Sequence, residues 1–123
     1  MHYAILCYDD EKIVTSWTQE EDDAAIAKLA VVQQQLAAEG KLGPVARLVP
    51  TKDAKTLRKG GKHPLVLDGP YAETKEALLG FFLVDCASLD EALAAAKDLA
   101  AASGSHGAYE VRALRLYQPD PRS

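Results

Sequence analysis

Tyr3-Ala4-Ile5-Leu6-Cys7-Tyr8 and Leu78-Leu79-Gly80-Phe81-Phe82-Leu83-Val84-Asp85-Cys86 decide the fold of this chain. Each run is apolar at nearly every position, too short for a helix and suited to a strand buried on both faces. After the first run, Thr18-Gln19-Glu20-Glu21 matches a capping box, with Thr18 as N-cap and Glu21 reaching back to its amide. Ala25, Leu29, Val32 and Leu36 then recur at helical spacing, Ile26 widens that stripe, and Gly40 suits the position just past the end. The pattern predicts an amphipathic helix from Thr18 to Glu39. A second capping box, Ser88-Leu89-Asp90-Glu91, opens a helix with Ala92, Leu93, Ala96, Leu99 and Ala100 inward, closed by Ser103-Gly104.

Between these anchors, Val45 to Val49 reads as a strand stopped by Pro50. Thr56-Leu57-Arg58 and the stretch His63 to Leu67 flank Lys59-Gly60-Gly61-Lys62, which predicts a hairpin with a tight primed turn. Pro64 favours the start or edge of its strand. Asp68-Gly69-Pro70-Tyr71 is a turn by composition. Tyr109, Val111 and Ala113 alternate with Glu110 and Arg112, and the phase slips at Leu114 and Leu116, which predicts a late bulge or burial of both faces. Residues 118–123 form a polar tail.

The order is therefore βαββαβ with an inserted β-hairpin, a ferredoxin-like α+β domain over residues 1–117 with both helices on one sheet face. The two-sided strands make the other face apolar as well. A second copy of the sheet is its simplest cover, so a homodimer joined through sheet faces is expected. Cys7 and Cys86 read as lying near equivalent ends of parallel neighbouring strands, buried as small hydrophobes.

Composition agrees with one domain: 123 residues, 48% hydrophobic and 26% charged. That excludes a disordered tail, a collagen-like fibre and a disulfide scaffold. Alanine accounts for 21 residues, so large core side chains are scarce and concentrate on the strands. The net charge of −4 and the lack of a basic stripe argue against nucleic-acid binding. The densest charge run, Glu20-Glu21-Asp22-Asp23, is a solvated helix start. No apolar run approaches bilayer length, and the N-terminus lacks signal-peptide features, so the chain reads as cytoplasmic, without a membrane partner. His2, His63 and His106 have no ligand spacing, and Gly60-Gly61 has no phosphate-loop context. Neither a metal nor a cofactor is expected.

The stretch Asp68-Gly69-Pro70-Tyr71-Ala72-Glu73-Thr74-Lys75-Glu76, followed by Leu79-Gly80-Phe81-Phe82, resembles the signature of the DGPF-type members of the YciI-related family. Tyr3-Ala4-Ile5-Leu6, Leu48-Val49-Pro50 and Ser88-Leu89-Asp90-Glu91-Ala92 extend the resemblance over nearly the whole chain. Tyr71 stands where the motif usually has Phe. The resemblance implies a dimeric α+β barrel. It also implies either dehalogenation-type or lyase-type chemistry, as in a few relatives, or a regulatory role beside sigma factors of the extracytoplasmic-function type. The YciI-like branch pairs a first-helix His with an Asp, but residues 18–39 contain no histidine, so that pair is not carried over.

The candidate site gathers around the motif loop. Asp68 and Glu73 are the carboxylates placed to act as general bases, with Lys75 holding an anionic ligand. The competing structural reading has Asp68 satisfying the amides of its own turn and Glu73 and Lys75 tying the loop down. Tyr8 and Tyr71 each offer a phenol at a cleft, or a plain core ring. Arg47 and Arg112 are the cations most expected to be buried, pairing with a motif carboxylate or binding a ligand anion. Two function classes follow: binding of a small polar or aromatic molecule, with or without general acid–base catalysis, and a non-enzymatic regulatory or interaction module.

Overall fold

The computed structural model describes residues 1–104 and 106–120. The last three residues of the tail expected at 118–123 lie outside them. Strand β1 (His2–Asp9) leads through a five-residue helix α1 (Glu11–Thr15) to the long helix α2 (Gln19–Ala38). Strand β2 (Leu42–Arg47), the hairpin strands β3 (Lys55–Arg58) and β4 (Leu65–Asp68), strand β5 (Ala77–Asp85), helix α3 (Leu89–Ser103) and strand β6 (Ala108–Ala113) follow.

The main sheet has the order β2-β5-β1-β6, and every neighbouring pair is antiparallel. With the hairpin set aside, this is the ferredoxin-like arrangement, and the hairpin forms a separate two-stranded sheet. Because β1 and β5 run antiparallel, Cys7 and Cys86 do not share an end of the sheet. Cys7 pairs with Gly80, whereas the Cys86 amide bonds to the Met1 carbonyl at the opposite end. The expectation of parallel neighbours is corrected: two strands separated by a crossover and then a hairpin must run in opposite directions.

Both predicted caps form. Thr18 Oγ accepts from the Glu21 amide at 3.1 Å, and Ser88 Oγ accepts from the Glu91 amide at 3.2 Å. The reciprocal halves differ from expectation. The Glu91 carboxylate accepts from the Ala87 amide, one residue before the cap, while Glu21 meets the Thr18 hydroxyl. Helix α1 was not legible in sequence. Asp10 caps it, and its five residues are too few to show a period.

Core side chains come from one sheet face and the inward faces of α2 and α3. Tyr3, Ile5, Phe82 and Val84 meet Leu36, Ala92, Ala95, Ala96 and Leu99. The alanines of α3 bring that helix close to the strands, so a few large residues fill the layer. The opposite face carries Ala4, Leu6, Phe81 and Leu83, with Glu110 and Arg112 at the β6 edge. The helices leave this second apolar face uncovered.

Several strand limits moved. β2 starts at Leu42 and ends at Arg47, short of Val49, with an irregularity between Leu42 and Val45. The hairpin pairs Arg58 with Leu65, so residues 59–64 form its loop and the turn is longer than a primed two-residue one. β6 stops at Ala113, so the apparent phase slip marks the end of the strand. The register shift falls instead between Cys7 and Tyr8 on β1.

Candidate functional site

The helix-facing side of the sheet is built of cross-strand rows. One row runs Ala113, Tyr3, Val84, Leu42, and the next runs Val111, Ile5, Phe82, Val45. In the third row, Tyr109, Cys7, Gly80 and Arg47 stand side by side. Glycine at the centre of that row leaves the sheet without a side chain where the first two rows have valine and phenylalanine. A Cβ on Gly80 would meet the Ala46 carbonyl oxygen and the Arg47 Cα, so glycine here lets β2 approach β5 closely.

A cleft of about 390 Å³ lies between this row and the helices, within the range of roughly 300–1,000 Å³ usual for small-molecule sites. Gly80, Cys7 and Phe82 form its floor, Val14 and Trp17 from the α1 end and Ala25, Ile26 and Leu29 from α2 form its roof, and Arg47 and Tyr109 stand at its two sides. Strands about 4.8 Å apart put the Arg47 and Tyr109 backbones roughly 14 Å from each other across the floor. The lining is mainly apolar. Its polar groups are Tyr8, Asp9, Asp22, Arg47, Gln33, Ser103, His106 and Tyr109.

The polar groups differ in how they are held. Tyr109 donates to Ser103 Oγ at 2.9 Å, and that hydroxyl donates to the Ala100 carbonyl, so the phenol is fixed to the end of α3. Burial raises the Tyr109 phenol to about 12. Burial likewise pushes the Cys7 thiol up to about 11, partly offset by its hydrogen bond with Tyr109. Neither group is ionised at neutral pH, so Cys7 is not an activated nucleophile. Asp9 accepts from the Asp10 amide at 2.7 Å, in the turn that starts α1. Asp22 lies in the first turn of α2, where the helix dipole favours its charge. Arg47 has no ion pair or hydrogen bond among the described residues.

Of the residues singled out from sequence, Tyr8 and Arg47 line this cavity, and Asp68, Tyr71, Glu73 and Lys75 do not. Asp68 ends β4 and pairs across the hairpin with Lys55 rather than with the amides of its own turn. Gly69 follows at φ +93°, its amide bonded to the Ala54 carbonyl and its carbonyl accepting from Thr56. The Asp-Gly step thereby ties the motif loop to the hairpin. Tyr71 is 77% exposed, with the Arg58 guanidinium over its ring. Glu73 and Lys75 are exposed in the same loop. Arg47 and Arg112, expected as buried cations, are both exposed, because β2 and β6 are the two edges of the sheet.

Sequence reasoning missed Trp17, Asp9, Asp22, His106 and Tyr109 as neighbours. They come from four different segments, and no local spacing links them. The readable signal was Gly80, a glycine in the middle of a two-sided apolar strand, which marks a close backbone approach or a gap. Among the described residues no group of three or more His, Cys, Asp or Glu could hold a metal ion, and no helix is long and apolar enough to cross a membrane.

The fold and cleft define a small ferredoxin-like α+β protein with a mainly apolar cleft between sheet and helices. Comparison with known proteins places it further: the model of the YCII-related domain matches residues 1–117. An uncharacterised protein of Rhizobium meliloti (strain 1021) is 57% identical over 119 residues, covering 97% of this chain and 96% of that protein. The chain belongs to the YCII-related domain family.

Proposed function

We propose that this chain binds a small, largely apolar or aromatic molecule in the cavity above Gly80. The observation that carries the reading is the mainly apolar cleft over the third cross-strand row, bounded by Trp17 and Arg47.

Ligand screening by Trp17 fluorescence tests the reading, since Trp17 is the chain's one tryptophan and lines the cavity. Compounds that shift its emission in the wild type and not in Ala25→Phe, which fills the space from α2, support it. Compounds that act on both proteins alike would place binding elsewhere. Should a bound molecule be turned over, acid–base chemistry would fall to Asp9 and His106 at the lining. Asp68 and Glu73, with Tyr71 and Lys75, could take part only where a second subunit brought the motif loop to the cavity mouth.

The same proposal makes the chain a homodimer through the uncovered sheet face. Leu6, Phe81 and Leu83 support this, since an apolar sheet face without a helix layer needs a cover. Light scattering at micromolar concentration is expected to give twice the chain mass, and Phe81→Glu should give one. A wild-type monomer refutes it. A second reading, the interaction module, is favoured by a different observation. Leu57, Leu65, Val66 and Leu67 make the hairpin sheet apolar and exposed in one chain. If the dimer leaves that patch open, a protein partner is its best occupant.

A further inference from the structure

The cavity's charge arrangement narrows the ligand class, on the premise that the cavity is a binding site. Three fully charged groups line it, Asp9, Asp22 and Arg47. Asp9 is engaged by the Asp10 amide, and Asp22 lies in the first turn of α2. Asp9 therefore has a hydrogen-bonded counterpart, whereas Asp22 has only the field of the helix start. Arg47 has none: it stands at the cavity's side, next to Gly80 in the cross-strand row, with no anion beside it among the described residues. A guanidinium offers a planar fork that matches a carboxylate in bidentate geometry. The rest of the floor and roof is apolar and aromatic, and the uncharged thiol and phenol on the far side add no charge.

We infer that the ligand is an amphiphilic monocarboxylate, its acid group on Arg47 and its aromatic or aliphatic body over Gly80 beneath Trp17. The body supplies burial of apolar surface, and Arg47 supplies orientation and selection by charge.

A matched series with one body and three head groups tests this: 4-phenylbutyrate, 4-phenylbutyramide and 4-phenylbutylamine, titrated against the intact chain by Trp17 fluorescence and calorimetry. The carboxylate is expected to bind about tenfold or more tighter than the amide. Arg47→Gln should abolish that preference without weakening amide binding, and Arg47→Lys should restore part of it. Because Arg47 is exposed on an edge strand, both variants should fold, which circular dichroism verifies. Equal binding of all three head groups, or tightest binding of the amine, overturns the carboxylate assignment and leaves the cavity reading standing. If no member of the series perturbs Trp17, the cavity reading and this inference both fail.

Discussion

Gly80 and Ala46 are in backbone contact across the β2–β5 pair: a Cβ built on Gly80 would overlap the Ala46 carbonyl oxygen. Gly80 therefore lets the edge strand, which carries Arg47, close onto β5.

Gly80→Ala should cost about 1–3 kcal/mol, the usual penalty for forcing an extra carbon into a packed site. Urea unfolding measures it, and the Trp17 ligand response should weaken in the same variant because β2, which carries Arg47, is pushed away from β5. A variant within about 0.5 kcal/mol of the wild type would show that β2 yields at no cost and that the close approach is not needed.

Cys7 should be inert. With its thiol near 11 through burial, the thiolate fraction at pH 8 is on the order of 100-fold below that of a free cysteine. Iodoacetamide should modify Cys7 correspondingly slowly, with the rate still climbing beyond pH 9. Oxidation should not join Cys7 to Cys86. The two sit at opposite ends of antiparallel strands, about 20 Å apart at the rise of a β-strand, where a disulfide needs Cα atoms within about 7 Å. Rapid labelling at pH 8, or an intrachain disulfide by mass spectrometry, would contradict this geometry.

The two helix caps should each contribute about 1 kcal/mol, so Thr18→Ala and Ser88→Ala should lower stability by that amount. The sites lie on different helices and share no partner, so the double variant should lose the sum. Thermal unfolding of the three variants checks both the size and the additivity. A loss well under half of that for Ser88→Ala would mean that the Glu91 bond to the Ala87 amide holds the helix start unaided.

Acid should weaken the junction between α2 and α3. Lys41 bridges Glu39 at 2.7 Å and Glu91 at 3.1 Å, and the hydrogen bond from Lys41 is the main cause holding the Glu91 carboxyl below its ordinary value near 4.5. A depressed carboxylate binds fewer protons folded than unfolded. Its contribution is therefore complete above that ordinary value and is lost as pH falls through the lower folded one. Glu91→Gln should melt below the wild type at pH 7, and the gap should close as pH falls below about 4. A gap that stays constant with pH would assign the loss to the capping bond and not to the charge.

Local chemistry made much of the fold readable. The runs around Ile5 and Phe82 had to be strands apolar on both faces, and Thr18 and Ser88 had to start helices, because a side chain's reach to its own backbone is fixed by spacing. Helix α1 was not readable, since five residues show no period. The end of β6 was misread because loss of alternation looks the same whether a strand bulges or stops. The site was less legible still. Asp68 and Glu73 stood out because the motif around them is dense in charged groups, but charge density in a loop says nothing about which way the loop faces.

The sequence by itself determined the order of the strands and of the two long helices, their caps, and the presence of more apolar strand surface than two helices can cover. Only the tertiary structure decided where space remains. Tyr109, Cys7, Gly80 and Arg47 are far apart in the chain and become one row only when β6, β1, β5 and β2 fall into register. Register depends on long-range pairing, to which no local pattern is bound.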